Sequence, residues 1–226
     1  MKRTLGLTLL LFATLFSCMR QEKPLPAELS RAESVMWEHP DSALSILRSM
    51  PQSSLSIGKN YATWALLLAQ ARDKVYGKRL PDSLNIPSSD KLVQDAMDYF
   101  EKEGDLKRMA QTYYYKGQLL KDQKKITEAM PFFLKSKEMM TKLDEPLFTY
   151  LICQSLGNMY RYQDLYEESL VQLKDAYQYA LRSGNGERIS YALSELGRTY
   201  VHKNEMDSAL FYFGKSLDNA QRLGNI

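Results

Sequence analysis

Met206, Ala209, Leu210, Phe213, Leu217 and Ala220 fall at i, i+3, i+4, i+7, i+11 and i+14. That spacing puts them on one continuous face of an α-helix. Leu193, Leu196, Gly197 and Tyr200 draw a stripe of the same kind just upstream, and the polar Lys203-Asn204-Glu205 separates the two. The pattern predicts two antiparallel helices joined by a short turn.

The same hairpin recurs. Gly117, Gly157 and Gly197 stand 40 residues apart, and three residues after each lie Leu120, Tyr160 and Tyr200. Twelve beyond the glycines come the small Ala129, Ser169 and Ala209. The large Phe133, Leu173 and Phe213 follow, and then Ser136, Ala176 and Ser216, small again. The units close with Leu143-Asp144-Glu145, Ser183-Gly184-Asn185 and Leu223-Gly224-Asn225. A fixed period of this kind marks a repeat architecture. Where two helices cross closely, only Gly, Ala or Ser lets one backbone approach the other. The large residue of each unit is expected to fill the gap between successive hairpins. No hairpin of this kind buries its faces alone, so the units must stack.

These columns resemble the tetratricopeptide repeat (TPR), whose motif places small residues at its eighth, twentieth and twenty-seventh positions and large ones between. Three matching units occupy residues 105–226, beginning in earnest at Ala110. The usual TPR period is 34 residues, and the six extra are expected in the second helix or its connection. Upstream the pattern loosens, so residues 27–104 form degenerate TPR-like hairpins. Asp41-Ser42-Ala43-Leu44 repeats the letters of Asp207-Ser208-Ala209-Leu210, with Leu47 as the large residue. Residues 27–37 and 41–50 give a first hairpin, with Pro40 at a helix start. Arg31 replaces its glycine, so that hairpin must pack differently. Residues 59–76 and 90–103 give a second, interrupted by a loop at 77–89. The fold class is all-α: an α-solenoid, a TPR-like superhelix of about ten helices in five hairpins.

Composition agrees with a helical globular chain. Of 226 residues, 44% are hydrophobic and 25% charged, with 11 Gly and 8 Pro. The net charge is +3, and without Lys2 and Arg3 it falls to +1. That balance gives no reason to expect nucleic acid. Lys2 and Arg3 precede an uncharged run at residues 5–16. The run is too short for a membrane-spanning helix, which needs about 20 residues, so it reads as the core of a signal peptide. It ends in Leu15-Phe16-Ser17-Cys18, which resembles the lipobox of bacterial lipoproteins. The resemblance implies cleavage after residue 17, lipidation of Cys18 and a membrane anchor through that lipid, with 18–26 as a tether. The absence of Asp after Cys18 points to the outer membrane of a Gram-negative bacterium.

No catalytic constellation is present. His39 and His202 form no His-Glu-x-x-His pair, and there is neither Cys-x-x-Cys nor a glycine-rich phosphate loop. Cys153 shares a column with Tyr113 and Leu193 and reads as buried. No enzyme activity, metal or cofactor is expected. In TPR arrays the first helix of each hairpin lines a concave groove. Carried across by position, its lining is Gln111, Tyr114, Gln118 and Lys121, then Leu151, Gln154, Asn158 and Arg161, then Tyr191, Ser194, Arg198 and Val201. Tyr162 and His202 stand beside them. Gln118, Asn158 and Arg198 share one column and are expected to form a ladder of hydrogen-bonding groups along a protein or peptide ligand. The lysine, asparagine and arginine clamp of chaperone-binding TPR proteins is missing. Phe211, Tyr212 and Leu217 spread round the last helix with nothing following, so docking or self-association through that end is a further expectation. A non-enzymatic, lipid-anchored interaction scaffold is the function these features imply. The sensory input part of an envelope regulator, a subunit of an outer-membrane assembly complex, and glycan capture are the competing ones. Trp37 and Trp64, in apolar helical stretches, argue against the last.

Overall fold

The computed structural model describes residues 24–51, 55, 58–76 and 88–224. The leader, Cys18, most of the tether and most of the loop at 77–89 lie outside them. The described residues form ten helices: α1 Ala27–Val35, α2 Pro40–Ser49, α3 Lys59–Tyr76, α4 Ser89–Glu103, α5 Leu106–Asp122, α6 Ile126–Lys142, α7 Pro146–Tyr162, α8 Tyr166–Ser183, α9 Gly186–His202 and α10 Met206–Arg222. Odd and even helices pair into five hairpins, and each even helix also packs on the next odd one. The sequence is that of an α-solenoid.

The period of 40 resolves into two of 20. Gly104, Lys124, Asp144, Asp164, Gly184, Asn204 and Gly224 all have positive φ, between 55° and 75°. Each ends its helix in the left-handed conformation of a C-terminal cap. At four of these turns the next residue's N–H reaches back five residues. Lys125 donates to the carbonyl of Leu120, Glu145 to Met140, Leu165 to Tyr160 and Glu205 to Tyr200, at 2.9–3.1 Å. That residue then begins the following helix. Asp105 and Asn185 do so with their side chains, each accepting from the N–H three residues on at 3.0 Å. The six residues beyond the ordinary TPR length therefore do not lengthen the second helix alone. They are shared between first helices of 17 residues and second helices of 17 or 18.

The repeated glycines sit where the sequence requires close approach. A Cβ on Gly157 would lie 2.6 Å from Leu173 Cγ, one on Gly197 2.7 Å from the Phe213 ring, and one on Gly117 3.0 Å from the Phe133 ring. The large residue thus fills the space over the glycine of its own hairpin first, a correction to its expected place between hairpins. Ser136 donates to the carbonyl of Ala110 at 2.7 Å and Ser216 to that of Ser190 at 2.8 Å, so in two of the three units the third small column also ties the hairpin to itself. Apolar packing continues from Leu29 in α1 to Met159 in α7 as a single cluster. Smaller clusters around Cys153 and around Leu173 join the last two hairpins.

Candidate functional site: the groove of the odd helices

The odd helices carry the positions that the TPR resemblance assigns to a groove, and two parts of that face differ. On α5, Gln111 and Tyr114 are buried, at 5% and 4% exposure, not facing an open channel as the sequence implied. Contacts from far upstream reach this part of the molecule. Glu33, near the end of α1, accepts from Arg108 Nη2 at 2.6 Å, and Arg108 in turn reaches Gln111 Oε1 at 3.5 Å. Trp37, in the turn after α1, packs edge-on against Phe148 at 5.5 Å between ring centroids. Phe148 meets the Tyr114 ring at 6.0 Å. Lys74 Nζ stands 3.5 Å over the Trp37 ring and the Arg188 guanidinium 5.9 Å from it. Burial pushes the Lys74 ammonium down to about 8, and Arg188 adds to the shift. Burial also holds the Tyr114 hydroxyl well above its ordinary value, with Asp73 adding to it. Tyr114 is a core residue whose hydroxyl accepts from Gln118 Nε2 at 2.8 Å. Lys121 Nζ donates to Gln118 Oε1. The α5 rung of the expected ladder is therefore engaged within the protein.

The other end is open. Arg161, Tyr162, Arg198, Val201, His202 and Phe213 surround a concavity of about 480 Å³. Tyr162 is 83% exposed, and Tyr191, Arg198 and His202 are exposed as well. Beneath them lies a carboxylate that sequence reasoning passed over. Glu195, 1% exposed, accepts from Arg161 Nη2 at 2.7 Å and from Arg198 Nη1 at 2.8 Å. Arg161 also meets Thr199 Oγ1 at 3.2 Å and Asn158 Oδ1 at 2.9 Å. Arg161 is thus a bolt between α7 and α9 with little of its side chain exposed. A buried acid holding two guanidiniums contributes little net stability, but removing it strands buried charge. Arg198 keeps 59% of its side chain exposed, so it retains donors for a ligand. The signal for Glu195 was its column: the equivalents Tyr115 and Ser155 are buried, and an acid there demands a cation. Ser194, expected in the groove, instead meets Ser216 Oγ of its own hairpin at 2.9 Å.

Among the described residues no group of three His, Cys, Asp or Glu could hold a metal ion. Cys153 is fully buried, and burial pushes its thiol up to about 11.

This arrangement is a helical-repeat solenoid. No protein-family model matches the chain, and no curated protein matches it in sequence. Solved structures match it in shape, each over 88% of this chain. The Signal Transduction ATPase with Numerous Domains protein with a tetratricopeptide repeat sensor, from Pyrococcus horikoshii, aligns with a TM-score of 0.68 at 17% identity, over 30% of its own length. Aspartyl phosphate phosphatase F from Bacillus subtilis gives 0.66 at 16%, over 51% of its length. BtubC from P. vanneervenii gives 0.59 at 15%, over 76%. At these identities the likeness establishes the fold: a TPR-like α-solenoid.

Proposed function

We propose that the chain is a non-enzymatic scaffold that binds a protein or peptide at the open end of its groove, and that a lipid on Cys18 holds it at the envelope membrane. The observation that carries the reading is the concavity lined by α7, α9 and α10. There two guanidiniums, an imidazole and two aromatic rings converge on one exposed hollow. Such a set suits a peptide with a carboxylate and an apolar side chain. Charge-assisted bonds from Arg198 orient the acid. Tyr162 supplies contact area at small cost in rotamer freedom. The exposed column on α10 favours a second reading, the sensory part of a larger assembly. Leu210 is 69% exposed where its equivalent Leu170, covered by α9, is 3% exposed.

A photoreactive residue at position 158, followed by crosslinking in whole cells and mass spectrometry, tests the scaffold reading. Position 171 on α8, exposed at Val171, is the control. Capture of one protein from 158 and none from 171 is the expected result. Capture from 171 alone overturns the groove.

A further inference from the structure

In a stacked array each hairpin meets its neighbours. Trp37 does more: it belongs to the first hairpin, yet its ring meets Lys74 of the second, Phe148 of the fourth and Arg188 of the fifth. Glu33 lies four residues earlier and reaches Arg108 of the third. These contacts reach the groove positions through intermediaries: Arg108 also meets Gln111, and Phe148 also meets the Tyr114 ring. They have the chemistry of recognition: a carboxylate on a guanidinium, and an indole between an ammonium, a guanidinium and the edge of a phenyl ring.

We infer that Glu33 and Trp37 fill a second recognition subsite of the groove, and that its external ligand is a peptide segment whose helix carries a carboxylate near its C-terminal end and whose following turn carries an aromatic ring four residues later. The inference rests on the groove reading above and names a ligand class for the closed end. The two side chains are suited to exchange. Trp37 is half-buried, and the Glu33 side chain keeps 38% of its exposure. Leu29, Ala32 and Met36, at 0–1%, hold α1 in place meanwhile. A competing segment therefore has to displace one side chain near the end of a nine-residue helix and one in the turn that follows, not a whole hairpin.

The probe is a fluorescein-labelled peptide with the sequence of residues 27–38, titrated by anisotropy against the full chain. The double variant Glu33→Ala/Trp37→Ala is expected to bind it at least about ten-fold more tightly than the wild type. Adding Arg108→Ala and Arg188→Ala to that variant is expected to remove the gain. Equal affinity for the wild type and a helical double variant overturns the inference, as does binding to neither. If the double variant loses its helical circular dichroism, Glu33→Gln/Trp37→Phe replaces it, with an expected gain of about three-fold. Capture from position 158 together with failure of the peptide sinks this inference alone. Failure of both sinks the groove reading too.

Discussion

Helices α5 and α9 occupy the same place in their hairpins, yet one groove face is closed and the other open. On α5, Gln111 and Tyr114 lie under Trp37 and its neighbours. On α9, Tyr191 in the column of Gln111 faces solvent, Ser194 in the column of Tyr114 is half-buried, and Arg198 is exposed where its column partner Gln118 is half-buried. Nothing in the repeat motif distinguishes them, since the columns align residue for residue. The difference comes from outside the repeat, where a degenerate first hairpin reaches across the curve. A repeat pattern fixes which side chains point inward. Whether inward means buried or open depends on what else the curvature brings there.

Several substitutions break or sharpen that contrast. Gly157→Leu strikes the framework both faces share, because even a Cβ there would sit 2.6 Å from Leu173. A loss of about 3 kcal/mol is expected in urea unfolding. Trp37→Ala is expected to cost about 2–3 kcal/mol by the same measurement, because it empties the closed end. Tyr162→Ala at the open end should change stability by less than about 0.5 kcal/mol. Glu195→Ala strands Arg161 between α7 and α9 and is expected to cost about 2 kcal/mol, recovered in part by Arg161→Met in the same chain.

A pH series separates the closed end further. Below pH 8 folded and unfolded chains both hold the Lys74 proton, and burying that charge lowers stability. Between about 8 and the ordinary lysine value of 10.5 only the unfolded chain holds it, so this group's contribution to stability rises with pH. Lys74→Met should remove that rise. The difference between the two proteins in paired urea melts at pH 7.5 and 10 should change by about 1–2 kcal/mol. A smaller effect belongs to the turns that the two ends have in common. Lys124 holds φ 64° without being glycine. Lys124→Gly is therefore expected to stabilise by about 1 kcal/mol in thermal melts.

Much of the fold was legible because it is local and repeated. Residues 59–76 were placed to the residue as α3, and Gly117, Gly157 and Gly197 pointed to the close crossings. The even division into units of 20 was hidden, since Lys124, Asp144, Asp164, Gly184 and Asn204 share a backbone conformation but no common residue type. Of the groove positions carried across from the repeat, those that stay exposed are Tyr162, Tyr191, Arg198, Val201 and His202. Glu33, Trp37, Lys74 and Arg108 lay beyond periodic reasoning, because their contacts depend on superhelical curvature and span up to 151 residues of sequence between Trp37 and Arg188. Glu195 announced itself only as an acid in a buried column, and its cations stand on two different helices.

The central contrast is measurable without any ligand. Single cysteines are placed at 111, 114, 162 and 202 in a chain with Cys18→Ser and Cys153→Ala, and their rates of thiol alkylation are taken in the native state. Positions 162 and 202 should react at nearly the rate of an unfolded control, and 111 and 114 at least about 100-fold more slowly. Equal rates at all four positions would contradict a face that is closed on α5 and open at the ends of α7 and α9.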